Sequence, residues 1–150
     1  FGPGSTTEAY IGRYPTASEA RLQRLLFIAE TSKDLEVTRQ ALELVERQCK
    51  ATSNTRRYKD VFGPGSTTHT AIPGLLYDAA WVNETETVNQ NMLRSLEARV
   101  ATVNAQLNKD GIRTAYLSLG EFHHPRGEIR EAMRALLRSR DYCTTRNQTA

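Results

Sequence analysis

Residues 112–142 read IRTAYLSLGEFHHPRGEIREAMRALLRSRDY, and the reading of this stretch decides the fold of the chain. Ile112, Ala115, Tyr116, Leu119 and Phe122 recur at spacings of three and four, which places them on one face of a helix. His123-His124-Pro125-Arg126-Gly127 interrupts the pattern: Pro125 disfavours helical geometry in the residue before it, and Gly127 lets the backbone turn. The periodicity resumes after Glu128, with Ile129, Ala132, Met133, Leu136 and Leu137 on the inner face. Two antiparallel helices result. The Leu119-Gly120 pair on one and the small Ala132 on the other allow the two backbones to approach closely. Tyr116, Leu119, Gly120, Gly127, Ala132 and Leu136 are therefore the residues on which this hairpin rests, in the layout of one tetratricopeptide-type repeat. Such a hairpin cannot bury its apolar faces alone, so it implies neighbours.

Upstream the same grammar recurs. Ser18 is a plausible cap for a helix reaching about Glu30, with Leu22, Leu25, Leu26, Phe27 and Ala29 as its apolar face. Thr31 and Asp34 have the spacing of a capping box. A second helix follows from Leu35 to Lys50, with Leu35, Thr38, Leu42, Val45 and Cys49 in a narrow stripe. A short helical piece over Thr55 to Val61 would turn Arg56, Arg57 and Lys59 to water. The longest helix runs from Asp78, whose carboxylate suits a helix start, to about Leu107. It carries Trp81, Val88, Met92, Leu93, Leu96, Val100, Val103 and Leu107, and Gly111 is fit to end it in a left-handed cap. Asn89, Asn91 and Asn104 favour a packed domain helix over a coiled coil. The fold expected is all-α: TPR-like helical hairpins of an α-solenoid with one long connecting helix.

Between these helices, Gly, Pro, Ser and Thr dominate residues 1–18, which read as a flexible arm with Tyr10, Ile11 and Tyr14 available to dock. The heptapeptide Phe1-Gly-Pro-Gly-Ser-Thr-Thr7 recurs letter for letter at 62–68, and Gly-Pro-Gly suits neither helix nor strand. Each copy reads as a solvated linker. The organisation expected is an arm over 1–18, a helical-repeat domain over 19–145 interrupted by a disordered loop at 62–76, and a tail at 146–150.

Composition removes several functions. With 39% apolar residues and a mean hydropathy of −0.55, the chain is of helical, modest-core type. No run approaches the roughly 20 apolar residues of a membrane span. The start at Phe1 shows neither the basic nor the apolar region of a signal peptide, and the missing Met suggests a fragment or processed product. Cys49 and Cys143 lack metal-ligand spacing and read as reduced, buried small apolar residues. His123 and His124, adjacent on a helix, point about 100° apart and read as solvated turn residues, not as ligands of one metal ion. No nucleophile elbow appears, and Gly63-Pro64-Gly65-Ser66-Thr67 lacks the lysine of a phosphate loop. No enzyme and no cofactor is expected. Arg56-Arg57-Tyr58-Lys59, in a chain of net charge +3, is the one candidate contact for an acidic partner, with nucleic acid disfavoured by the carboxylates spread elsewhere.

Asp110-Gly111-Ile112-Arg113, Leu119-Gly120-Glu121, Gly127-Glu128-Ile129 and, above all, Arg140-Asp141-Tyr142-Cys143-Thr144 resemble the COP9 signalosome subunit 1 family. So do Arg24-Leu25-Leu26-Phe27-Ile28-Ala29 and Asp78-Ala79-Ala80-Trp81-Val82, in the matching order, so that most of residues 12–145 is covered. Phe122-His123-His124 stands where the family has an aromatic residue one turn after Leu-Gly. The resemblance implies a non-catalytic scaffold in the nucleus and cytoplasm, supporting deneddylation of cullin-RING ubiquitin ligases. Its partners would be other signalosome subunits and cullin-RING components. The family's catalytic subunit needs a His-x-His pair with a downstream Ser and Asp, which this chain lacks. The family also continues into a winged-helix PCI domain, for which these residues hold no counterpart. Two alternatives remain: the proteasome regulatory-lid subunit of the same repeat-plus-PCI architecture, and a basic helical nucleic-acid-binding module.

Overall fold

The structure, a computed structural model, describes residues 7, 11–12, 14, 18–66 and 72–149, with side chains described as far as Cys143. Among the described residues there are six long or short α-helices and no strand. They are α1 (Glu19–Thr31), α2 (Leu35–Ala51), α3 (Thr55–Phe62), α4 (Ala79–Ala105), α5 (Lys109–His123) and α6 (Ile129–Thr149). The chain divides into two compact units, residues 1–82 and 83–150, and α4 begins in the first and continues in the second.

In the first unit α1 packs on α2 and α2 on α3. Each start is capped by a short polar side chain that satisfies an orphan N–H. The Ser18 hydroxyl accepts from the Arg21 N–H at 3.1 Å, Asp34 from Glu36 at 2.9 Å, and Asn54 from Arg57 at 3.0 Å. The capping box expected from Thr31 and Asp34 is not made: the Thr31 hydroxyl instead donates to the Phe27 carbonyl within α1, and Asp34 caps α2 alone. Leu22, Leu25 and Ala29 meet Ala41, Leu42, Val45 and Cys49 in one core, each Leu contributing roughly 1.5–3 kcal/mol by leaving water. Leu35, expected on that stripe, is two-thirds exposed, because the first turn of α2 projects beyond the core. A polar bridge crosses the pair. Gln48 is buried, donates to the Ser18 carbonyl at 2.9 Å and accepts from Arg21 Nε at 3.2 Å.

Residues outside the six helices contribute to the same core. Of the 1–18 arm, Thr7, Ile11, Gly12, Tyr14 and Ser18 are described, and the rest, Tyr10 included, lies outside the described residues. Ile11 is buried in the first core with Tyr14 against it, and the Thr7 hydroxyl donates to Gln40 Oε1 at 3.2 Å. The described part of the arm is therefore docked. The second heptapeptide is likewise no free linker: Phe62 ends α3 fully buried, and the Ser66 hydroxyl donates to the Val61 carbonyl. Residues 67–71 of the expected 62–76 loop lie outside the described residues, and Ile72 beyond them is buried in the same core. Ile11 and Ile72 each stand ten residues after the Phe of a heptapeptide copy.

Tyr58 is the hub of this unit. It is 0% exposed, and its ring lies 5.0 Å from Phe62, 5.5 Å from Tyr77 and 4.9 Å from Trp81 between centroids. Its hydroxyl accepts the Asp78 N–H at 2.8 Å. Asp78 in turn caps α4 through the Trp81 N–H at 3.0 Å and receives Lys50 Nζ at 2.9 Å. The Lys50 bond, then the Trp81 N–H, holds the Asp78 carboxyl below its ordinary value, and the same bond raises Lys50. A depressed carboxylate stabilises the fold above its unfolded pKa and ceases to do so as pH falls through the folded one. Asp78→Asn retains a good cap and removes only the charge. It is expected to lower the melting temperature at neutral pH and to converge on the parent in acid, below the ordinary carboxylate range of about 4. Thermal melts followed by circular dichroism across that range check it; an equal deficit at every pH would mean the charge pair is idle.

In the second unit α5 and α6 form the antiparallel hairpin, and Val100 and Val103 of α4 join Ile112, Ala115, Tyr116 and Tyr142 in its core. Gly111 does not end the long helix. The left-handed residue is Leu107, at φ 53°, after which Asn108 caps α5 by accepting the Gly111 N–H at 3.0 Å. A Cβ on Gly111 would come within 3.0 Å of Val103 and of Asn108, so the glycine is there for closeness. The end of α4 is thus exposed at Leu107, and Val88 and Met92 also face outward, leaving Val103 as the buried member of the expected stripe. The tail drawn at 146–150 is helical through Thr149, as the last turns of α6, and Ala150 lies outside the described residues.

The cysteines differ. Cys49 is fully buried, and burial pushes its thiol up to about 12, whereas Cys143, near the end of α6, is exposed. The thiolate is the reactive form, so a thiol reagent at mildly alkaline pH is expected to modify Cys143 readily and Cys49 only after unfolding. Counting modified thiols with and without denaturant checks this, and rapid labelling of Cys49 in the native chain would show the first core to be open.

Candidate partner-binding surface

The residues singled out in the sequence fall in two places. Arg56, Arg57 and Lys59 lie on α3 in the first unit, where Arg56 and Lys59 are exposed. Arg57 is not fully turned to water as expected, because its guanidinium pairs with the Glu19 carboxylate of α1. The basic patch is therefore two exposed cations on either side of a paired one. Tyr58, between them in sequence, points into the core and offers no stacking face.

The repeat residues lie in the second unit, and three of them meet. Gly120 is buried, and a Cβ there would stand 2.7 Å from Leu136 Cδ2 and 3.4 Å from the Ala132 carbonyl oxygen. Ala132 is 1% exposed, and Leu136 is half-buried. Tyr116 is half-buried at the edge of the core with the Arg138 guanidinium 5.4 Å over its ring, and Leu119, three residues on, is half-buried. Gly127, at φ 78°, makes the turn between the helices, a conformation that L side chains rarely adopt.

That turn is more structured than its composition suggests. His123 is buried, not solvated, with Nδ1 3.1 Å from Glu128 Oε1 and its ring edge-on to Phe122; His124 is exposed. Arg126 lies 3.9 Å over the Phe122 ring, donates to the Phe122 carbonyl at 2.6 Å and reaches Asn89 Oδ1 of α4 at 3.0 Å. Burial lowers the Arg126 pKa from its ordinary value. Opposite it, buried Ser139 donates to the Arg113 carbonyl at 2.9 Å, tying α6 to α5. The sequence carried one usable signal for Arg126: an arginine just beyond a helix end can bond the last carbonyls. Nothing in the spacing foretold Asn89 as its partner.

On its outer side α6 differs from expectation. Its inner face is Ala132, Ala135, Leu136 and Ser139, while Ile129, Met133 and Leu137 are 42%, 52% and 46% exposed. The i, i+4 spacing of these three places them in a row flanking the buried face rather than within it. Spacings of three and four among Glu128, Arg130, Glu131 and Arg134 would allow ion pairs along the helix, but none forms among the described residues. Glu128 is engaged by His123, and among the described residues neither Arg130 nor Arg134 makes an ion pair or hydrogen bond. The described residues contain no group of three side chains that could hold a metal ion, and no helix among them is long and apolar enough to cross a membrane.

Residues 78–150 match the family described as 26S proteasome subunit RPN7. Over 92% of its length the chain is 27% identical to COP9 signalosome complex subunit 1 of Arabidopsis thaliana. Over 99% it is 28% identical to COP9 signalosome complex subunit 1 of Emericella nidulans. It spans 31% and 29% of the length of these two relatives. The matched family segment begins at the Asp78 cap and takes in α4, α5 and α6, so the hairpin read from residues 112–142 lies wholly within it. The described residues hold helices and no strand, and the chain resembles COP9 signalosome complex subunit 1 along nearly its whole length, with its second half matching the RPN7 family model.

Proposed function

We propose that this chain is the helical-repeat part of a signalosome-type scaffold subunit, which makes and breaks no bond itself. It supports deneddylation of cullin-RING ubiquitin ligases, in nucleus and cytoplasm, by contacts with other signalosome subunits and with cullin-RING components. The observation that carries this reading is the likeness to two signalosome subunits over 92% and 99% of the chain, extending through the first unit as well as the matched family segment. The exposed row on α6 supports it, since a scaffold works by presenting apolar surface to a neighbour.

The second reading, a proteasome-lid subunit, is favoured by the family description over residues 78–150. Purification of the tagged parent protein from cells at moderate and high salt separates the two. Signalosome subunits and cullins retained at high salt, with neddylated cullin accumulating on depletion, are the expected result; retention of lid and proteasome subunits instead would overturn it. Nucleic-acid binding would appear as retention lost steeply with salt. The pairing of Arg57 with Glu19 leaves little of the basic patch for that role. Fluorescence of the tagged protein in both compartments is expected, and exclusion from the nucleus would refute the assigned location.

A further inference from the structure

The chain has two methionines, and their sulfurs stand in different surroundings. Met133 of α6 is 52% exposed and has no polar partner among the described residues. Met92 of α4 is 44% exposed, and its Sδ accepts from Arg126 Nη2 at 3.9 Å. The rest of that guanidinium is committed. Nε donates to Asn89 Oδ1 at 3.0 Å and Nη1 to the Phe122 carbonyl at 2.6 Å, with the guanidinium carbon 3.9 Å over the Phe122 ring. Of its nitrogens, only Nη2 has no oxygen acceptor among the described residues, and a thioether sulfur is a weak substitute. The Glu128 carboxylate, whose charge acts on Arg126, is bonded to His123 and does not fill that place. Oxidation ordinarily makes a methionine polar and disrupts what surrounds it. At Met92 the new oxygen would arise beside a charged donor that already points at the sulfur.

We propose that Met92 is a site of reversible oxidation by peroxide, at which Arg126 receives the sulfoxide oxygen and so ties α4 more firmly to the α5–α6 hairpin. The step is an oxygen transfer. A sulfur lone pair attacks one peroxide oxygen, the S–O bond forms as the O–O bond breaks, and the attached hydroxyl gives its proton to the departing hydroxide, which leaves as water. Sulfur loses two electrons and the peroxide gains them. A methionine sulfoxide reductase reverses the step: a dithiol supplies two electrons and two protons, ends as a disulfide, and the oxygen leaves as water. In the oxidised form an N–H···O bond from a guanidinium replaces an N–H···S contact, and a charge-assisted bond to oxygen is both shorter and stronger. Asn89 and Met92 belong to α4, whereas Arg126 lies in the turn between α5 and α6, so the strengthened bond is one between helices.

The test uses the full chain carrying Met133→Leu and Cys143→Ser, in which Met92 is the one methionine and the exposed thiol is gone. Hydrogen peroxide is added until mass spectrometry shows the gain of one oxygen on Met92. The oxidised chain is expected to melt about 2–4 °C above the untreated one, with slower amide exchange in α4 around Asn89 and Met92. In Arg126→Gln the difference between oxidised and untreated chains is expected to vanish or change sign. Arg126→Gln also loses the bonds to Asn89 and Phe122, so a second pair of variants reads the same contact with the arginine intact. Met92→Gln, which offers a carbonyl oxygen near the place of the sulfur, is expected to melt above Met92→Leu with no oxidant present. An oxidised chain that melts below the untreated one, a gain that survives in Arg126→Gln, or Met92→Gln melting with or below Met92→Leu would each overturn the proposal. So would a parent chain in which peroxide oxidises Met133 and leaves Met92 unchanged.

Discussion

Gly120→Leu is expected to unfold the α5–α6 hairpin. A Cβ alone at this position would stand 2.7 Å from Leu136 Cδ2 and 2.8 Å from Leu136 Cγ, well inside van der Waals contact. Three further carbons have nowhere to go, because Ala132 is 1% exposed directly opposite, with its carbonyl 3.4 Å from the built Cβ. Overpacking of this kind costs about 1–3 kcal/mol where side chains can move, and more where backbone must. Ala132→Phe attacks the same contact from the other helix. Gly120→Ala is the instructive control: helix propensity gains about 1 kcal/mol, and overlap with the flexible end of Leu136 takes back a similar amount. A Gly120→Ala/Leu136→Ala pair, which removes that overlap, should recover much of what the steric clash costs. Circular dichroism melts of the four variants check the series. If Gly120→Leu melts with the parent, the helices do not touch there.

Tyr58→Ala is expected to have the largest effect in the first unit. The ring is fully buried among Phe62, Tyr77 and Trp81, and its removal leaves a cavity bounded by three aromatic rings that cannot all collapse into it. Large-to-small changes of an aromatic core residue cost about 3–5 kcal/mol. Tyr58→Phe keeps the packing and removes only the hydroxyl that accepts the Asp78 N–H, so a loss of about 1 kcal/mol is expected. Chemical denaturation of the three proteins separates the terms. A near-equal loss in the two variants would assign the hub to its hydrogen bond, and a small loss in both would show that α3 is not part of the core.

The contrast between these sites shows what sequence could carry. The α5–α6 hairpin was legible because its information is local: periodicity, one break, and a Gly facing an Ala three turns away in the hairpin. Helix caps at Ser18 and Asp78 were legible for the same reason, since a cap answers to residues two or three positions on. What escaped depends on distance along the chain. Arg57 finds Glu19 across 38 residues and Arg126 finds Asn89 across 37, and no spacing rule selects such partners. The outward rotation of Ile129, Met133 and Leu137 escaped because two apolar faces on one helix look like one broad face until the neighbouring helix chooses between them. Gly111 was misassigned because glycine serves both turns and close contacts, and only Val103 reveals which.

Ile11 and Ile72 bear on where this protein can be cut. Each stands outside the six helices, ten residues after the Phe that opens a heptapeptide copy, yet each contributes a fully apolar side chain to the core that α1, α2 and α3 share. A shortened protein that starts at Glu19, or that replaces residues 63–76 with a neutral spacer, would keep α1 to α6 and lose part of the interior. Its exposed apolar floor would then meet its own kind in solution. Poor yield from such a trimmed chain would say nothing about the helices, and the remedy is to restore an isoleucine, not to add a helix.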